Sequence, residues 1–222
     1  ARFAQTLQPS ALSANDNTLR KTAIRIALPK EYNQAMLAMM IASQKNDSVN
    51  YPATIEDFIT MFPDKEDGYE YKATMLTDRK DFAGAEAAMQ KAIETSQAKD
   101  NAHYYYARLI FNKETVMPDV AYDRWSVNKA LEEIDTAIAI KPLPLYRILK
   151  GQMLFSQTKY EEALNEFNEA NKTEPRSADV YYYAYQCLKN MKSERDRQLE
   201  MLDSATVLAP KQLLYLSEKA LL

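Results

Sequence analysis

One short apolar pattern returns along this chain at a nearly constant interval, and it restricts the fold more than any other feature. Ala163, Phe167 and Ala170 read Ala-x3-apolar-x2-Ala, as do Ala130, Ile134 and Ala137, and Ala85, Met89 and Ala92. Spacings of three and four put each trio on one face of a helix. Prolines keep the same beat: 33 residues separate Pro142 from Pro175, 35 separate Pro175 from Pro210, and 34 separate Pro29 from Pro63. Pro63 to Pro142 is 79 residues, two periods of about 34 plus an insertion. Fixed periods of this length belong to stacked helical hairpins, each burying its apolar face against the next.

Composition agrees. Three glycines and nine prolines among 222 residues leave little turn chemistry for β-hairpins or for a glycine-rich phosphate loop. Helices are expected at 31–44 and 54–62, 67–78 and 81–96, 101–112 and 123–140, 145–156 and 160–173, 178–190 and 194–208, and 211–222. Asn15, Asp16 and Asn17 offer caps for an earlier helix through about Leu28.

Residues 144–177, with Gly151, Tyr160, Ala163, Phe167, Ala170 and Pro175, resemble one tetratricopeptide repeat. Arg147, Lys150 and Leu154 depart from that pattern, which usually has Trp, Leu and an aromatic there. The resemblance implies an all-α fold, an α-solenoid of stacked antiparallel helix pairs wound as a right-handed superhelix. It divides 1–222, as one domain, into an extended segment 1–12, a half-repeat 13–29 and a degenerate repeat 31–63. Repeats 66–99, 100–142, 144–177 and 178–210 follow, then a terminal helix 211–222. The insertion is expected as a loop at 112–123 that could contribute to specificity.

Catalytic parts are missing. His103 and Cys187 are the sole residues of their kinds, which deprives nitrogen–sulfur metal sites and Cys–His catalysis of their components. Cys187 reads as a core thiol and His103 as an ordinary helix residue. Glu132 with Glu133, and Glu161 with Glu162, are sequence neighbours that point apart on a helix and read as solvated faces. No catalytic residue, metal or cofactor is expected. Net charge is −3, and the basic cluster of Arg20, Lys21, Arg25 and Lys30 reads as a solvated helix face, so no nucleic-acid partner is expected. No stretch approaches the roughly 20 apolar residues of a membrane span. Ala1 in place of Met suggests a processed or trimmed chain, for which a removed export signal is one reading; the compartment stays open, with periplasm or cell envelope favoured over cytoplasm.

A binding role remains. By the resemblance, the first helix of each hairpin lines an inner groove. Phasing selects Tyr71 with Glu70 and Thr74, then Tyr104, Tyr105 and Arg108, then Gln152 with Ile148, Leu149 and Phe155, then Tyr182, Tyr183, Gln186, Lys189 and Asn190. Tyr69, Tyr106, Tyr146, Tyr160, Tyr181 and Tyr185 read as packing residues. Tyrosine offers large area with two torsions to freeze, suited to an extended peptide or a helix of a protein partner. Arg108 and Lys189 would contact acidic side chains. Two alternatives stand beside this scaffold: an assembly segment of a longer cell-envelope protein, and a module recruiting a small ligand such as a glycan. Leu213, Leu214, Leu216, Leu221 and Leu222 are too apolar for a terminal cap, so either the array continues or 211–222 packs on another molecule, as in a homo-oligomer.

Overall fold

The structure, a computed structural model, describes residues 32–45, 50–172 and 177–222. The expected segments 1–12 and 13–29 and the basic cluster lie outside them. Every regular element among the described residues is an α-helix: α1 Tyr32–Gln44, α2 Asn50–Met61, α3 Glu66–Asp78, α4 Phe82–Thr95, α5 Lys99–Val116, α6 Val127–Ile140, α7 Pro144–Ser156, α8 Tyr160–Ala170, α9 Ala178–Asn190, α10 Arg195–Leu208 and α11 Leu213–Leu221. The chain divides into two compact units, with the division after Ala102 inside α5.

In the first unit α1 packs on α2, α2 on α3 and α3 on α4. Its core gathers Ala35, Met39, Ile55, Phe58 and Met75. Tyr32 meets Phe58 and Phe62 edge-on at 5.6 and 5.7 Å, so aromatic rings close the hairpin that methionines crowd. In the second unit α6 to α11 pack each on the next. Its core joins Leu154, Ala163, Leu164, Phe167 and Ala170 to Val180, Ala184, Cys187 and Leu188.

The repeated trios occupy the positions their spacing demands: Ala85, Met89, Ala92, Ala130, Ile134, Ala137, Ala163, Phe167 and Ala170 are all buried. Small and large residues alternate because neighbouring helices approach closely only where a side chain is missing. At Gly151 a Cβ would lie 2.5 Å from Phe167 Cε1, so the ring fills the space that the glycine leaves.

Tight turns end three of the first helices in one way. Lys80, Thr158 and Lys192 adopt φ of 62°, 61° and 53°. In each, two backbone N–H groups turn back to the helix end: Lys80 to Thr77 and Asp81 to Leu76, Thr158 to Phe155 and Lys159 to Leu154, Lys192 to Lys189 and Ser193 to Leu188. That is the Schellman closure, here without its usual glycine. Asp81 then caps α4 by accepting the Gly84 N–H at 2.9 Å.

The inserted stretch differs from expectation. Helix α5 runs on to Val116, so the irregular connection starts at Met117 instead of 112. The connection is anchored: Trp125 is 3% exposed, and its ring meets Tyr122 at 5.5 Å and Tyr106 of α5 at 6.2 Å. Burying this indole fixes where α6 begins, and Ser126 caps it by accepting the Lys129 N–H at 3.1 Å.

Candidate partner-binding site

The departures from the repeat pattern at Arg147 and Lys150 have a partner. Arg147 Nη1 and Lys150 Nζ each lie 2.9 Å from a Glu166 carboxylate oxygen, and Lys150 also reaches Asp135 at 2.9 Å. These ions tie α7 to α6 and α8 where the pattern has apolar side chains. Burial alone would lower the Lys150 pKa, but the hydrogen bonds to Asp135 and Glu166 outweigh it and the pKa rises.

On α5 the three selected residues separate. Tyr104 is 7% exposed and its ring stacks on Tyr146 of α7 at 5.0 Å, so it is a packing residue and not a groove contact. Tyr105, the next residue and about 100° further round the helix, stays half-buried. The Arg108 guanidinium lies over both rings, 4.9 Å from the Tyr105 centroid and 5.5 Å from that of Tyr104. Burial lowers the Arg108 pKa. Gln152, on α7, is half-buried, whereas its neighbour Leu149 is buried.

On α9 the residues divide again. Tyr183 stacks on Phe167 of α8 at 5.3 Å and serves the core. Tyr182 is half-buried, 5.0 Å from the ring of Tyr215 in α11 and 5.8 Å from Tyr185. Gln186 is half-buried, and its backbone carbonyl accepts the Asn190 side-chain amide at 2.8 Å. Lys189, expected to await an acidic partner, is already paired: its Nζ lies 2.7 Å from Glu218 Oε2, to which the Tyr185 hydroxyl also donates at 2.6 Å. Those two hydrogen bonds hold the Glu218 carboxyl below its ordinary pKa, and Glu218, then Tyr185, raise that of Lys189. Tyr71 belongs to the first unit, half-buried against the Phe58 cluster. Burial, then Tyr51 and Asp67, raises its pKa.

Tyr215, Glu218 and Asp179 were not among the expected residues. Tyr215 is buried and its hydroxyl donates to Asp179; burial first, then this carboxylate, pushes the phenol up to about 12. The repeat interval held the clue, because Tyr215 follows Tyr182 by 33 residues. His103 is no bystander either: its Nδ1 meets Glu133 Oε2 at 2.7 Å, and Lys129 approaches the other oxygen at 2.8 Å. Glu133 is thus buried while Glu132 stays exposed, which corrects the reading of both as solvated. Burial would raise the Glu133 pKa, but His103 and Lys129 more than offset it.

Cys187 lies in the core, its thiol pushed up to about 12 by burial. Among the described residues, no group of three or more His, Cys, Asp or Glu side chains is placed to hold a metal ion. No helix among them is long and apolar enough to cross a membrane.

No protein-family model and no curated protein matches this sequence. Solved structures do match. YrrB, a tetratricopeptide-repeat protein with an unusual peptide-binding site, superposes with a TM-score of 0.58 at 18% identity, over 90% of this chain and 96% of its own. The chain has the tetratricopeptide-repeat fold. PilW, a type IV pilus biogenesis factor, shares this repeat fold at a TM-score of 0.63 and 14% identity, over 89% of this chain and 88% of its own. Yeast Tom70 does so at 0.73 and 13% identity, over 98% of this chain but 44% of Tom70. At such identities the likeness concerns the fold.

Proposed function

We propose that this chain is a non-enzymatic scaffold that binds a peptide or helix of a partner protein on the first helices of its second unit. The observation that carries the reading is the half-buried, part-cationic pair of Tyr105 and Arg108 on α5, with Gln152 on α7 and Tyr182 and Gln186 on α9 half-buried on the following first helices. The Arg108 guanidinium lies 4.9 Å from the Tyr105 ring centroid, so the aromatic–cation pair is assembled before any ligand arrives. Tyr104, Tyr183, Lys189 and Asn190 support this surface from their contacts within the molecule.

The test is affinity capture from native extract with wild type and with a variant carrying Tyr105→Ala, Arg108→Ala and Tyr182→Ala, both checked by circular dichroism. A partner retained by wild type and reduced at least about tenfold in the variant is expected, since truncating central aromatic and arginine contacts costs about 1–2 kcal/mol each. Equal recovery rejects this surface.

A second reading, association through 211–222, is favoured by one observation: Leu213 and Leu221 of α11 are 77% and 83% exposed. Light scattering that shows a dimer lost with Leu213→Ser and Leu221→Ser supports it, and a monomer rejects it.

A further inference from the structure

We infer that a groove along α10, on a surface separate from the α5 and α9 contacts above, is a second docking site whose occupant is a basic amphipathic helix of a partner protein. The groove encloses about 480 Å³ and is lined by Tyr181 of α9 and by Asp196, Leu199, Glu200, Asp203, Ser204, Val207 and Leu208 of α10. Those α10 positions recur at three and four, so they form one stripe from Asp196 to Leu208, about 18 Å long, enough for some three turns of a docked helix.

The stripe has two chemistries. Tyr181, Leu199, Val207 and Leu208 make it apolar, and Val207 is 79% exposed. It is also anionic: Asp196, Glu200 and Asp203 run in one row with Val207, while Leu199 and Leu208 lie to either side of that row, and no lysine or arginine lines the groove. Lys219 of α11 lies beside Asp203, which leaves Asp196 and Glu200 without an ion pair among the described residues. An apolar face alone would accept many partners. The uncompensated carboxylates select a helix whose leucine-like stripe is flanked by Lys or Arg, and they repel an acidic one.

The probe is a fluorescein-labelled model helix of leucine and lysine alone, its leucines spaced three and four apart, titrated with the full chain and followed by anisotropy. Its counterpart has glutamate at every lysine. Saturable binding of the lysine helix, weakened about five- to tenfold by Asp196→Asn with Glu200→Gln and lost with Val207→Ser, is expected. The substituted side chains lie on the surface and the first two changes are isosteric, so helix content should match wild type. The Tyr105→Ala, Arg108→Ala, Tyr182→Ala variant must bind the probe as wild type does, which separates this site from the one above. Equal binding of both helices, or no effect of the α10 substitutions, overturns the inference. So does light scattering of a dimer that Val207→Ser dissolves, because the occupant would then be a second copy.

Discussion

Thr158 is a β-branched residue with φ of 61°, a backbone region that glycine enters freely and that costs other residues about 1–2 kcal/mol. The turn persists because two helix-end carbonyls are satisfied there, at 2.9 and 3.0 Å from the N–H groups of Thr158 and Lys159. Thr158→Gly should therefore stabilise the protein by about 0.5–1 kcal/mol after the entropy of an added glycine is deducted, raising Tm by about 1–4 °C in a scan. Gly151→Ala should act in the opposite sense. Its Cβ would lie 2.5 and 2.8 Å from two Phe167 ring carbons, an overpacking that costs about 1–3 kcal/mol, read in the same scan. The expected helix bounds left breaks at 79–80, 157–159 and 191–193, where these turns lie, but did not say which residue would adopt positive φ. Neither lysine nor threonine favours it, and only the closed hydrogen bonds of the fold impose it.

Helix α11 is held to α9 by Tyr215 against Tyr182, by the Tyr215 hydrogen bond to Asp179, and by Glu218 between Tyr185 and Lys189. Because the folded pKa of Glu218 is depressed, its contribution is complete above the unfolded carboxyl's pKa and is lost as pH falls through the lower folded value. The Tm gap between wild type and Glu218→Gln should thus be open at pH 7 and close below about pH 4. The connection after α5 makes a different case. Its sequence, with Pro118 and mixed polar residues, reads as a free loop, yet Trp125 packs it down. Trp125→Ala should cost about 3–5 kcal/mol in denaturant unfolding, far more than a solvated loop residue could.

Across the whole chain acidic and basic residues nearly balance, at 31 and 28, and among the described residues most ion pairs are at least partly solvated on one side, such as Lys91 with Glu94 and Lys72 with Glu56. Raising salt to about 1 M, where screening acts over about 3 Å, should move Tm by only a few degrees, because apolar contacts between helices carry the stability. A much larger fall would show that networks such as Arg147, Lys150, Asp135 and Glu166 matter more than their number suggests. The sequence by itself determined the helix class, the order and approximate bounds of the helices among the described residues, and the buried trios. These follow from a local periodicity repeated about every 34 residues, which needs no knowledge of neighbours. The tertiary structure alone decided what each tyrosine of a run packs against. Tyr104 and Tyr105 are adjacent, as are Tyr182 and Tyr183, and one step turns a side chain by about 100°. Which way it faces depends on Tyr146, Phe167 and Tyr215, residues that lie 16 to 42 positions away and come into contact only when the hairpins stack.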